Sequence, residues 1–125
     1  MMRVFKTRLF SKWARTVKLS DKQLKQAVEE MEKGLIDADL GGFIYKKRIA
    51  LSGRGKRGGT RSVIAYQLRR KAFFIFGYAK SEKDNISAEE LKIAKAFASE
   101  LLSYNDQQLD ILITDGKLIE VKYEK

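Results

Sequence analysis

The chain has 125 residues, with 26 lysines and arginines against 16 acidic residues, a formal net charge of +10, and neither cysteine nor histidine. Without these two residue types, disulfides, thiolate nucleophiles, Ser-His-Asp catalysis and the usual cysteine and histidine zinc sites are excluded. The length predicts a single domain over residues 1–125, and because no long apolar run or signal peptide is visible we expect a cytoplasmic protein without a membrane span.

The N-terminal part of the chain predicts a strand and two helices. Residues 2–6 are typical of a short strand, and the apolar positions that follow recur at helical spacing. Ser20 and Gln23 form a capping box at the start of a second helix, and Gly34 is typical of a helix end. We therefore expect a helical hairpin over residues 8–33.

Three strands are predicted in the middle of the chain, at residues 43–51, 62–68 and 72–79. Their order along the chain favours an antiparallel meander. In the first strand, alternation places Lys46 and Arg48 on the same face. The third strand is apolar on both faces, which predicts a central strand covered on both sides.

The C-terminal part predicts a long helix and a shorter element. Ser87 and Glu90 form a second capping box, and a core stripe follows over residues 87–103. Asn105 is expected to cap a short helix that leads into a final strand. The alternative is a hairpin that turns at the Asp-Gly pair at 115–116.

The positive charge is concentrated in residues 42–83, which contain 12 lysines and arginines and a single acidic residue. This imbalance predicts a polyanionic partner, although a generally basic surface is the simpler alternative. The segment "LSGRGKRGGTR" at 51–61 is not a phosphate-binding P-loop, because no Ser or Thr follows its Gly-Lys pair and a strand comes next. It is either a plain hairpin loop or a place where glycines let cations approach a phosphate chain closely.

The predicted helical hairpin is followed by "YKKRIALSGRGKRGGTRSVIAYQ" and by "FFIFGYAKSEKDNIS", which leads into the long helix. This order resembles the RelE/HigB-like toxins of bacterial type II toxin-antitoxin systems over residues 3–103, and the extension at 104–125 is similar to that of one HigB-like branch. The resemblance implies a small α+β domain of the RelE/ParE type, in which a curved antiparallel sheet carries an N-terminal helical hairpin and a C-terminal helix. It also implies metal-independent mRNA cleavage on the ribosome, no cofactor, and a cognate antitoxin with a helix-turn-helix domain.

The resemblance implies a cationic catalytic set, namely Lys46, Arg48, Arg61 and Lys80. Neighbouring residues expected to bind RNA are Lys47, Arg54, Lys56, Arg57, Tyr78 and Lys83. A tyrosine often joins such a set, and the candidates here are Tyr78, Tyr104 and Tyr123.

The chemistry of RNA cleavage suits such cations. The 2′-hydroxyl attacks the adjacent phosphorus to leave a 2′,3′-cyclic phosphate, so the protein removes one proton, stabilises negative charge and helps the 5′-oxygen leave. Our hypothesis assigns Lys46 as general base and Arg48 and Arg61 as phosphate stabilisers. Lys80 is assigned as a phosphate contact or proton donor. The alternative for each residue is an ordinary solvated cation or a structural ion pair.

Two other functions remain open from the sequence. The ParE branch shares this fold and inhibits gyrase without nuclease chemistry, and a nucleic-acid-binding module would need the cations without catalysis. The same fold can carry different activities, so the residues of the site have to decide between them.

Overall fold

The computed structural model describes residues 2–51, 59–80 and 85–122. In chain order the elements are β1 (Arg3–Thr7), α1 (Arg8–Thr16), α2 (Asp21–Glu32), β2 (Ala38–Gly41), β3 (Ile44–Ile49), β4 (Thr60–Gln67), β5 (Lys71–Ala79), α3 (Ala88–Ser103), α4 (Asp106–Thr114) and β6 (Leu118–Glu120). The strands form one sheet in the order β2-β3-β4-β5-β1-β6. This arrangement confirms the predicted α+β class.

The helices begin where their capping residues predict. The Ser20 and Ser87 side chains accept hydrogen bonds from the third residue of α2 and α3, and both capping boxes are complete. Asn105 forms a third capping box with Gln108 at the start of α4. The short helix was therefore the correct expectation for this segment, and the hairpin alternative was wrong.

The sheet is mixed, whereas we expected antiparallel pairing throughout. β3, β4 and β5 form the predicted antiparallel meander. β1, however, lies parallel to β5 and antiparallel to β6. Val4 and Phe5 on β1 are both buried, so this strand is covered on both faces, as strands in parallel pairing usually are.

β2 was not predicted from the sequence. It pairs with β3 across a turn in which Gly41, Gly42 and Phe43 all have positive φ angles. Alanine, aspartate and glycine are depleted in strands, so the residues of β2 gave little β signal. The short strand becomes visible only through its pairing with β3.

Hydrophobic cores lie on both faces of the sheet. On one face, Phe10 of α1 and Leu24 of α2 belong to a core with Phe74 of β5. On the other face, Ala94 of α3 packs with Phe73 and its neighbours. β5 is thus covered on both sides, as predicted.

The two N-terminal helices lie over different strands. α1 lies over β1 and β5, whereas α2 lies over β3, so the two members of the predicted hairpin diverge across one face. α1 approaches β5 closely at Gly77, where an added Cβ would be 2.3 Å from Cζ3 of Trp13. The glycine therefore makes room for the indole ring. In the part of the chain that is described, no helix is long and apolar enough to cross a membrane.

Candidate active site

A row of three polar side chains crosses the centre of the sheet at one end of the meander. Arg48 on β3 pairs with Arg61 on β4, and Arg61 pairs with Tyr78 on β5. Directly paired residues point to the same face, with their Cβ atoms about 5 Å apart. Tyr78 belongs to the core under α3, so the row lies on the α3 side of the sheet.

Two lysines stand beside this row. Lys46 is two residues before Arg48 on the same strand face, about 7 Å away along β3, and its ammonium group donates a hydrogen bond to Oδ1 of Asn85 at 3.3 Å. Lys80 follows β5 directly and is exposed. Its backbone amide donates to the carbonyl of Gly59 at 3.4 Å, which holds it near the start of β4.

The structure therefore brings together all four residues of the predicted catalytic set at one end of the meander, together with Tyr78. We call this group the cationic face: Lys46, Arg48, Arg61, Tyr78 and Lys80. Each strand of the meander contributes to it, because the alternation of side chains and the strand register place these residues side by side.

The described part of the chain does not neutralise the charge of the cationic face. Among the described residues, no carboxylate forms an ion pair with any of its lysines or arginines. Arg48 and Arg61 are nevertheless directly opposite each other, an arrangement of like charges that destabilises a sheet. Asp37 accepts a hydrogen bond from the backbone amide of Arg48 and is not ion-paired with its guanidinium. The arrangement suits an anionic ligand, which would supply the negative charge that the described residues lack.

The residues of the row differ in exposure. Arg48 is exposed, whereas Arg61 is only 8% and Tyr78 only 5% accessible. Among described groups, the Arg61 guanidinium makes one long hydrogen bond, to the carbonyl of Thr60 at 3.4 Å. Arg48 and Lys46 thus form the accessible rim, and Arg61 and Tyr78 form the floor.

Lys47 does not belong to the cationic face, contrary to the expectation that it binds RNA beside the catalytic set. Alternation turns its side chain toward α2, where it is buried and its ammonium group lies 2.7 Å from Oε1 of Glu30. Lys47 therefore attaches α2 to β3 and is not available to RNA on the α3 side.

The tyrosine candidates are also separated by the fold. Tyr104 lies near the other end of β5, because its carbonyl accepts a hydrogen bond from Lys71, about 23 Å along the strand from Tyr78. Its hydroxyl donates to Glu100 at 2.6 Å, and this hydrogen bond raises the pKa of Tyr104. Of the described tyrosine candidates, Tyr78 is the one in the site.

Several of the expected residues lie outside the described part of the chain. These are Arg54, Lys56 and Arg57 of the glycine-rich segment, Lys83, and Tyr123.

Asn85 is a site residue that sequence reasoning missed. It holds the Lys46 ammonium group from the segment that precedes α3. An isolated asparagine before a helix cap carries no distinctive sequence signal, so its role emerges only from the fold. Within the described residues, no group of three or more acidic side chains is arranged to hold a metal ion.

Comparison with known proteins identifies the family of the chain. A family model described as the RelE toxin of the RelE/RelB toxin-antitoxin system matches residues 2–121, which is nearly the whole chain. No individual curated protein matches the chain. Because the family match spans both helices of the N-terminal part, the complete sheet and the cationic face, the chain belongs to the RelE family of toxins from toxin-antitoxin systems.

Proposed function

We propose that this toxin is an mRNA endonuclease that inhibits translation by cleaving messages on the ribosome without a metal ion. The observation that carries the proposal is the opposition of Arg48 and Arg61 on one sheet face, with Lys46 alongside and no described carboxylate in an ion pair with them. Toxins of the RelE family are generally ribosome-dependent mRNA endoribonucleases, and this charge arrangement is what cleavage of a phosphodiester needs.

The reaction begins with the 2′-hydroxyl of the RNA. Its proton passes to the nitrogen of Lys46, while the oxygen attacks the adjacent phosphorus. The hydrogen bond from Lys46 to Asn85 holds the amine at the rim, so Asn85 is a positioning residue.

Arg48 and Arg61 stabilise the added negative charge on the phosphorane. Arginine suits this role because it stays charged and offers a planar set of donors. Arg48 reaches the phosphate from the exposed rim, and Arg61 lies directly opposite it. Removing one donor of this kind from an enzyme lowers the rate by about 10²- to 10³-fold.

The bond from phosphorus to the 5′-oxygen then breaks, and this oxygen takes a proton as it leaves. Lys80, exposed at the end of β5, is the group of the cationic face that supplies this proton, because the hydroxyl of Tyr78 is buried. The products are a 2′,3′-cyclic phosphate and a free 5′-hydroxyl, so atoms and charge balance without a cofactor.

The proposed partners follow from the same assignment. The message and the ribosome meet the cationic face, and a cognate antitoxin, which we infer to carry a helix-turn-helix domain, restrains the toxin in the cytoplasm. An acidic antitoxin segment that covers Arg48 and Lys46 would inhibit cleavage by supplying the missing negative charge.

The test maps the 5′ ends of a defined mRNA in a purified translation mixture, with and without ribosomes. Wild type is compared with Lys46→Ala/Arg61→Ala and with a control, Lys33→Gln/Arg70→Gln, that removes two cations from the other end of the molecule. We expect new 5′ ends with wild type and with the control, but not with the site variant. Cuts that appear only when ribosomes are present would mean that cleavage takes place on the ribosome.

An intact message with the wild-type protein would refute the nuclease assignment. Inhibition of gyrase by the same preparation would then point to the ParE-like activity. If Lys46→Ala alone cleaved at the wild-type rate, Lys46 would not be the base.

A further inference from the structure

A second group of cations lies on the N-terminal helices and has no role in the reaction above. Residues 3–28 contain eight lysines and arginines but a single acidic residue, Asp21. Asp21 is already paired with Lys6, at 2.8 Å. We call the six cations of the two helices and their connection the helix-junction cations: Arg8, Lys12, Arg15, Lys18, Lys22 and Lys25. The first five are exposed and Lys25 is half-buried, and none of the six forms an ion pair with another described residue.

On α1 these cations form a narrow stripe. Arg8, Lys12 and Arg15 are spaced at four and three residues, so they lie within about 60° of one another around the helix and extend over about 10 Å. The opposite side of α1 is the core side, with Phe10 and Ala14 buried. The stripe therefore faces solvent directly.

Two of the three residues of the stripe do not stabilise α1. Arg8 is the first residue of the helix, where a positive charge opposes the helix dipole, and the first turn contains no acidic residue. Arg8 and Lys12 are also like charges four residues apart, which destabilises a helix. Arg15 lies in the last turn and complements the dipole, but helix stability gives no reason for Arg8 and Lys12, whereas an external polyanion does.

The helix junction lies at the same end of the sheet as the cationic face. Trp13, near the end of α1, packs on Gly77, which precedes Tyr78. At the start of α2, the side-chain amide of Gln23 donates to the carbonyl of Ala50 at 3.1 Å, two residues after Arg48. The two groups of cations thus lie on opposite faces of the sheet, near the same end of it.

A groove lies between α2 and the end of β3. It has a volume of about 370 Å³, and its lining includes Gln23, Gln26 and Arg48 together with Glu30, the carboxylate that is paired with Lys47. Arg48 thus borders both the cationic face and the groove. None of the helix-junction cations lines the groove itself, but Lys22 is one helical turn before Gln26 on α2 and so lies beside it.

We propose that the RNA strand cleaved at the cationic face continues through this groove over the end of the sheet and binds the helix-junction cations with its backbone phosphates. The proposal rests on the proposed function and extends it: the chain holds its substrate several nucleotides away from the bond that it cleaves. The glutamine amides line the path between the two phosphate-binding regions, where bases or sugars of the strand would meet hydrogen-bonding groups.

The experiment measures binding of 2′-O-methyl RNA strands, which lack the attacking hydroxyl, by fluorescence anisotropy between 50 and 200 mM salt. Strands of 4 and 12 nucleotides are compared. The test variant is Lys12→Gln/Arg15→Gln/Lys22→Gln, at exposed helical positions where glutamine preserves helix formation. The matched control is Lys33→Gln/Arg69→Gln/Arg70→Gln, which removes the same charge near the turn between β4 and β5.

Wild type and control should bind the 12-nucleotide strand with a steeper salt dependence than the 4-nucleotide strand. Each phosphate contact on a single strand contributes about 0.7 to the slope of log affinity against log salt, so the test variant should lose about 2 from its slope for the long strand. Between 50 and 200 mM salt, the loss of affinity for the long strand should therefore be about 15 times smaller for the test variant than for wild type. Binding of the short strand should stay unchanged.

Two results would overturn the proposal: equal slopes for the test variant and the control, or no gain of wild-type affinity with strand length. An Arg48→Gln/Arg61→Gln variant distinguishes a failure of the extended RNA path from a failure of the proposed function at the cationic face. If that variant binds the short strand as tightly as wild type, the cationic face is not an RNA site, whatever the helix junction does.

Discussion

The adjacent residues Lys47 and Arg48 of β3 should respond in opposite ways to replacement by glutamine. Arg48 faces Arg61 across the strands with no described carboxylate in an ion pair with it, so Arg48→Gln removes a repulsion. Lys47 is buried against Glu30 on the other side of the sheet, so Lys47→Gln removes an attraction. One strand thus carries a residue that we propose for catalysis beside one that stabilises the fold.

The magnitudes follow from these environments. A like-charged pair directly opposite in a sheet costs about 0.2–1 kcal/mol, so Arg48→Gln should raise Tm by about 1–4 °C for a chain of this length. Cleavage should fall by about 10²- to 10³-fold, as for the loss of one transition-state donor. Lys47→Gln should cost about 1–2 kcal/mol, between the values for exposed and buried ion pairs, because Glu30 keeps access to solvent.

The assay pairs thermal unfolding with mapped mRNA cleavage, normalised to folded protein, for wild type and both variants. Raising the salt concentration provides a further check, since screening weakens the repulsion between Arg48 and Arg61 and should reduce the gain in Tm. If Arg48→Gln lowered Tm, or if Lys47→Gln reduced cleavage per folded molecule as strongly as Arg48→Gln, the division of β3 into a catalytic and a structural face would be refuted.

Three further predictions concern packing, positioning and pH. Gly77→Ala should destabilise the protein by about 2 kcal/mol, because the added Cβ would overlap the Trp13 ring. In a Trp13→Leu background the same substitution should cost much less. Equal costs in both backgrounds, measured by denaturant unfolding, would contradict the close contact between Gly77 and Trp13. Asn85→Ala should slow cleavage about 3- to 10-fold, the value of one hydrogen bond, with no further loss when Lys46 is already alanine. Burial and the hydrogen bond to Glu32 raise the pKa of Tyr66, so the folded state keeps its proton above pH 10 while the unfolded state releases it. The free energy of unfolding should therefore fall as the pH rises above 10, and Tyr66 should contribute up to about 1.4 kcal/mol per pH unit to this fall. The Tyr66→Phe variant should show a smaller fall in unfolding free energy between pH 9.5 and 11. If wild type and variant lost unfolding free energy equally over this range, Tyr66 would not be the group responsible.

The local features of the fold could be predicted from the sequence, because they depend on short-range patterns. The capping boxes at Ser20 and Ser87 fixed the starts of α2 and α3, and strand alternation placed Lys46 and Arg48 on one face. The pairing of β1 with β5 could not be predicted, since those strands are about 70 residues apart and nothing in their sequences specifies the partner.

The arrangement of the candidate site could be predicted only in part, for two different reasons. Lys47 was expected to bind RNA because it belongs to a basic run, but the two-residue period of the strand turns it toward Glu30. The role that we propose for the helix-junction cations was not anticipated, because the five acids between residues 29 and 39 reduce the net charge of the first 41 residues to +3. In the fold these acids lie farther along α2 and beyond it, and Glu29 and Glu30 line a depression together with Lys25.

The position of β1 has a consequence for how the sheet assembles. β1 lies between β5 and β6, and Arg3 joins its start to Asp106, Asp110 and Glu120, each at 3.0 Å. This strand is therefore held by partners that are distant along the chain, whereas β3, β4 and β5 pair with near neighbours. Because pairing between distant segments costs more loop-closure entropy, we expect the meander to form before β1 is fixed between β5 and β6.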